Sequence, residues 1–139
     1  MLTDDDADDR IIFSDAFREL HIENDLQMFP DGIELMDYLN KTTDLPEILF
    51  LDLNMPKKTG IDCLLEIRAI EKLRDLTVAI YSTSASTKDI EETFIKGATI
   101  YIKKPCDFQR LKAMIRDVVY RRGQGGRQPI NRDTFLLGS

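Results

Sequence analysis

The segment Ile48-Leu49-Phe50-Leu51-Asp52-Leu53-Asn54-Met55-Pro56 begins with four apolar residues in a row and then meets an acid. A strand with one wet face would alternate apolar and polar residues. An unbroken apolar run reads instead as a strand buried on both faces, as in a parallel sheet covered by helices. Val78-Ala79-Ile80-Tyr81 and Ile100-Tyr101-Ile102 have the same form. Met1-Leu2-Thr3 reads as the end of another strand, short because only these residues precede the acids, and Asp25-Leu26-Gln27-Met28-Phe29 as a less apolar fifth.

Helical patterns lie between the runs. Ile12, Phe13, Ala16, Phe17 and Leu20 recur at three- and four-residue spacing and form one apolar stripe. Asp31 and Glu34 have the form of a capping box ahead of Leu35, Met36 and Leu39. Thr59 can cap a helix carrying Ile61, Leu64 and Leu65, and Ser86 or Thr87 one carrying Ile90, Phe94 and Ile95, both of the latter expected in or near the core. Gly97 suits the left-handed position after that helix. Asp107 can cap a last helix in which Phe108, Leu111, Ile115 and Val118 share a face, with Gly123 as its stop. Strand and helix thus alternate five times, which calls for a doubly wound α/β domain with right-handed crossovers. That domain spans residues 1–122. Residues 123–139 lack a clear period and read as a C-terminal tail, flexible or docked through Phe135, Leu136 and Leu137.

Composition narrows the function classes. A chain of 139 residues with 42% hydrophobic content can bury one core, whereas a disordered chain would be poorer in apolar residues. A net charge of −6 argues against a protein built to grip nucleic acid through phosphates. Two cysteines, Cys63 and Cys106, and a single histidine, His21, are too few for a disulfide scaffold or a Cys/His zinc site. Both cysteines read as buried or half-buried fillers, and His21 as a surface residue. No apolar run approaches the roughly 18 residues of a membrane span, and no leader pattern opens the chain. The expectation is a cytoplasmic protein with no membrane insertion and no direct nucleic-acid binding.

In doubly wound sheets functional groups gather beyond the carboxyl ends of the strands. Here those ends carry Asp4-Asp5-Asp6, Asp52, Ser82-Thr83 and Lys103-Lys104-Pro105. Two carboxylates about 4 Å apart repel by roughly 4 kcal/mol at an effective dielectric of about 20, so a converging acid set calls for a compensating cation. Three carboxylates without Cys or His form a hard, all-oxygen site suited to Mg²⁺ or Mn²⁺. With Lys104 as a second cation the site is near neutral, and metal, Lys104 and Ser82 together could hold a phosphoryl group. A carboxylate is a competent phosphoryl acceptor once the donor's charge is neutralised. Asp52, alone after a central strand and backed by Asn54 and Met55-Pro56, is the acceptor the pattern selects.

Leu2-Thr3-Asp4-Asp5-Asp6, Leu51 to Pro56 with Gly60, Tyr81-Ser82-Thr83, Gly97-Ala98 and Tyr101 to Pro105 together resemble the receiver domain of bacterial response regulators in two-component signalling, over about residues 1–120 and in register. The resemblance implies a flavodoxin-like fold with five parallel strands in the order 2-1-3-4-5. It implies phosphorylation of Asp52 and a metal held by Asp5, Asp52 and the Asn54 backbone carbonyl, with Asp4 acting through water. It further implies Ser82 and Lys104 as phosphoryl-binding groups, Tyr101 as the aromatic switch, and a cis bond between Lys104 and Pro105. Ser82 stands where threonine is commoner, which keeps the hydroxyl and drops the methyl.

The function expected is a stand-alone phosphoacceptor switch. It takes phosphate from a histidine kinase or a His phosphotransfer protein and signals to a downstream protein target. The stretch beyond residue 122 is too short for an output domain, so the message would leave by protein contact or by passing the phosphate on. The domain would not be an enzyme, apart from assisting its own phosphorylation and dephosphorylation. Two rivals differ in class. One is a receiver-like scaffold that is never phosphorylated, which the intact Asp5, Asp52, Ser82 and Lys104 oppose. The other is a haloacid-dehalogenase-type phosphatase, which wants a second Asp two places after its nucleophile, where this chain has Asn54.

Overall fold

The computed structural model describes residues 1–22, 25–123 and 135–137. Strands and helices alternate as β1 (Leu2–Thr3), α1 (Ala7–Glu19), β2 (Met28–Phe29), α2 (Gly32–Lys41), β3 (Ile48–Leu51), α3 (Gly60–Ala69), β4 (Thr77–Ser82), α4 (Thr87–Ile95), β5 (Ile100–Lys103) and α5 (Phe108–Gly123). The five strands are parallel in the order 2-1-3-4-5, and a further two-residue strand, β6 (Leu136–Leu137), pairs in parallel with β5 at the edge. Among the described residues no helix is long and apolar enough to cross a membrane.

The apolar runs explain the layering. Along β3, Leu49 and Leu51 enter one cluster with Leu35 and Leu39 of α2, Leu64 and Ile67 of α3 and Ile90 of α4. Ile48 and Phe50 enter the other, with Phe13 and Ala16 of α1 and Leu111, Ile115 and Val118 of α5. A strand whose neighbouring residues serve opposite cores has no polar face to show, which is why the run does not alternate.

Caps set the helix starts. Thr59 and Asp62 form the full reciprocal capping box at α3, Ser86 caps α4 through the Asp89 N–H, and Gly97 follows α4 at φ 99°. Asp31 accepts from the Glu34 N–H at 2.8 Å, the forward half of the box expected there. Asp6 is the α1 cap, accepting from the Asp8 and Asp9 N–H groups at 2.9 and 3.3 Å.

Several expectations need correcting. Ile12 and Ile95 face solvent, at 46% and 77% exposure. Each adjoins a buried or half-buried aromatic, Phe13 or Phe94, and one helical step of about 100° carries it off the narrow buried stripe. Cys106 is exposed in the turn after β5, while Cys63 is buried and its thiol pushed up to about 12 by burial. The Lys104–Pro105 bond is trans, not cis. Trans is the isomer that X–Pro linkages favour by about 0.5–1 kcal/mol. The turn is held instead by the Lys104 N–H on the Ser82 carbonyl at 2.7 Å and the Gln109 N–H on Asp107 at 3.1 Å. Of the tail, residues 124–134 and 138–139 lie outside the described residues.

Candidate functional site

Register alone brings the chosen residues to one end of the sheet. Thr3 pairs with Leu51, so Asp4 and Asp52 emerge side by side, and the Asp52 N–H donates to the Thr3 carbonyl at 2.9 Å. Ser82 pairs with Lys103 across β4 and β5, which sets Lys104 just beyond it. The loop after Asp52 folds back tightly, with the Gly60 N–H on the Leu53 carbonyl at 2.9 Å. A Cβ at Gly60 would fall against the Asp52 carbonyl oxygen and 2.8 Å from the Leu53 Cα.

Asp4, Asp5 and Asp52 each bring a carboxylate oxygen to within 4.8 Å of the other two. Asp4 is fully buried and Asp52 nearly so, while Asp5 is exposed and gives the cluster a solvent side. The set is all oxygen, acidic and open on one edge, which fits a hydrated hard divalent cation such as Mg²⁺ or Mn²⁺ and not a soft metal. Lys104 closes the opposite side. Its Nζ lies 2.9 Å from Asp4 Oδ2, 2.8 Å from Asp9 Oδ2 and 4.0 Å from Asp52 Oδ1. Lys103, its neighbour, is exposed.

Burial pushes the Asp52 carboxyl up to about 7; Lys104 opposes the shift, and the nearby Asp4 and Asp5 carboxyls add to it. Lys104 is pulled down by burial, but the Asp4 and Asp9 carboxylates outweigh that and hold it above its ordinary range, so it stays charged.

Ser82 is fully buried and its Oγ accepts from the Ser84 N–H at 3.1 Å. The Tyr101 ring is fully buried, with its hydroxyl donating to the Ser84 carbonyl at 2.8 Å. Asn54, two residues after Asp52, is exposed. His21 is exposed and takes no part. Two groups escaped the sequence reading. Asp9 is an acid of the first turn of α1, and its place four residues after Asp5 returns it to the strand end. Tyr81 stands with its ring centroid 5.2 Å from Lys104 Nζ; only its place one residue before Ser82 hinted at this.

A profile of the response regulator receiver domain matches residues 1–116. The chain belongs to this family. As a receiver domain it is a phosphoacceptor signalling switch and not a classical enzyme. Receiver domains bind a divalent metal and work with histidine kinases or phosphotransfer proteins and with downstream targets. This receiver is 32% identical to chemotaxis protein CheY-3 of Vibrio cholerae over 122 residues, covering 88% of this chain and 91% of the other. In structure it superposes on the phosphorylated cyanobacterial phytochrome response regulator RcpA at a TM-score of 0.81 and 26% identity, covering 89% and 92% of the two chains. The Mn²⁺-bound response regulator Rcp1 gives a TM-score of 0.76 at 24% identity, covering 84% and 88%.

Proposed function

We propose that Asp52 is the phosphoryl acceptor, with a histidine kinase or a His phosphotransfer protein as donor. An Asp52 oxygen attacks the phosphorus of a phosphohistidine. The new O–P bond forms as the P–N bond breaks, and the electron pair returns to the imidazole. The observation that carries this reading is the convergence of Asp4, Asp5 and Asp52 within 4.8 Å, with Lys104 4.0 Å from the Asp52 carboxylate. Asp5, Asp52 and the Asn54 carbonyl would hold Mg²⁺, or Mn²⁺, with Asp4 reached through water. The ion, when bound, offsets the negative charge that gathers on the phosphoryl oxygens.

This chain's own groups do the rest. Lys104 donates to a phosphoryl oxygen, and the Ser82 hydroxyl turns towards another. Tyr101 reports that movement to the face formed by α4, β5 and α5, where a downstream protein reads it. The same groups assist loss of the phosphate to water. The setting for this chemistry is the cytoplasm. The domain comprises residues 1–122, with 123–139 as its tail. Relatives named for chemotaxis and phytochrome signalling support the reading.

The experiment is an intact-mass measurement after incubation with Mg²⁺ and acetyl phosphate, beside Asp52→Asn. One phosphate per wild-type chain and none on the variant is the expected result. A phosphate on both, or on neither with several donors, overturns the assignment.

A further inference from the structure

Asp9 sits in the first turn of α1, where an acid gains from the helix dipole whatever else it does. Asp8 beside it is exposed and fits that description. Asp9 does something more. Its Oδ2 accepts from Lys104 Nζ at 2.8 Å, a bond between residues 95 positions apart. The Lys104 side chain is only 11% exposed and the Asp9 side chain 33%, so the pair is shielded in part from solvent.

An ammonium has three N–H donors and accepts nothing. Asp4 takes one at 2.9 Å and Asp9 a second at 2.8 Å. The Tyr81 ring lies 5.2 Å from Nζ and occupies another side. Asp52 Oδ1 lies 4.0 Å from Nζ, beyond hydrogen-bond reach, and takes none of the three donors. A phosphoryl group on Asp52 would put an oxygen into that gap.

We propose that Asp9 is a positioning residue for phosphoryl acceptance. With Asp4 it ties down two Lys104 donors, so that the third is aimed at the incoming phosphoryl oxygen before the donor arrives. Without Asp9 the ammonium keeps one tether and swings, and the fixed donor has to be ordered during the reaction. This rests on Asp52 being the acceptor. With acetyl phosphate, an Asp52 oxygen attacks phosphorus, the new O–P bond forms, the P–O bond to the acetyl group breaks, and acetate leaves with the pair. Lys104 keeps its protons throughout.

The test follows phosphate gain by intact mass on the full chain with Mg²⁺, across acetyl phosphate concentrations, for wild type, Asp9→Ala, Asp9→Asn and Asp8→Ala. Mg²⁺ affinity is measured separately by calorimetry. Asp9→Ala should lower the maximal rate about tenfold, the equivalent of one lost transition-state hydrogen bond, while leaving Mg²⁺ affinity within about twofold. Asp9→Asn, whose amide oxygen still accepts from Lys104, should recover to within about threefold, and Asp8→Ala should match wild type. In a Lys104→Met background the Asp9 change should have no further effect, because the group it positions is gone. Asp9→Ser serves the same comparisons should the alanine variant not fold.

A maximal rate unchanged in Asp9→Ala, a rate and Mg²⁺ affinity that fall by the same factor, or an Asp9 effect that persists without Lys104 each overturns the proposal. If wild type gains no phosphate, the acceptor reading falls and takes this one with it. If wild type gains one and Asp9→Ala keeps pace, only the role of Asp9 falls.

Discussion

Phe135 lies 6.2 Å from Tyr101, centroid to centroid, and edge-on to Phe94 at 5.1 Å, so β5 and α4 both meet a residue from the end of the chain. Phe135 and Tyr101 are each fully buried. The aromatic that the proposed switch would move is therefore covered from outside, and β6 extends the sheet beside it. Truncating Phe135 leaves a cavity against Tyr101. Phe135→Ala should cost about 3–5 kcal/mol, the usual range for a buried Phe cut to Ala. Urea unfolding followed by circular dichroism checks this, and a midpoint equal to wild type would mean that residues 135–137 add nothing to the core.

Asp52 sets the acid–base behaviour of the metal-free protein. Its folded value of about 7 lies above the ordinary 3.8 chiefly through burial. Between those two values the unfolded chain releases a proton that the folded chain keeps. The contribution of Asp52 to stability should therefore fall as pH rises from about 4 to about 7 and stay low above it. Asp52→Asn removes the ionisation and with it this fall between about pH 4 and 7. With chelator present at pH 8 it should unfold later than wild type by about 1–3 kcal/mol, a shift of a few units being worth at most about 4. Equal stability of the two proteins at pH 8 would show that burial of Asp52 costs nothing.

Asp4, Asp5, Asp52, Ser82 and Lys104 were legible because each stands at the carboxyl end of a short strand or within two residues beyond it, and a parallel sheet brings such positions together whatever the helices do. Lys104 was chosen over Lys103 by its place directly before Pro105. Asp9 was hidden because a first-turn acid already has a sufficient local explanation, and its partner lies most of the chain away. Helical spacing marked the stripes correctly but not their edges, so Ile12 and Ile95 seemed buried when one step of rotation exposes them. The sixth strand was illegible for a different reason: two residues have no period. Leu136 and Leu137 pair with β5 because its edge is free, which no local pattern announces.

Gly60 is a packing requirement of the acceptor loop. Its backbone N–H reaches the Leu53 carbonyl, and the start of α3 lies against the Asp52–Leu53 peptide, so even a methyl group meets main-chain atoms that cannot swing aside. Gly60→Ala should destabilise by about 1–3 kcal/mol through overpacking. Because the strain falls on the backbone carrying Asp52, phosphorylation by acetyl phosphate should slow as well. Thermal melts and intact-mass time courses on one preparation measure both. An alanine variant that matches wild type in each would show that the loop has slack here.

Lys104 compensates two buried acids together, so its removal should matter more than the loss of one ion pair. Asp4 is fully buried and bonded to Nζ at 2.9 Å, and Asp52 lies 4.0 Å away. The folded-state value of Lys104 is raised, so the stability it contributes is fully present below its unfolded value of about 10.4 and is lost as pH climbs through the folded one. Lys104→Met keeps the length of the chain without the charge and should cost about 2–4 kcal/mol at pH 8 in metal-free buffer, since it strands carboxylates in a dry setting. At pH 5 Asp52 is protonated, one of the stranded charges is gone, and the penalty should shrink. Adding Asp52→Asn to Lys104→Met should recover part of the loss at pH 8 for the same reason. Denaturant titrations of the single and double variants at both pH values measure this coupling, and strict additivity would mean that Lys104 stabilises the fold through Asp4 and Asp9 alone.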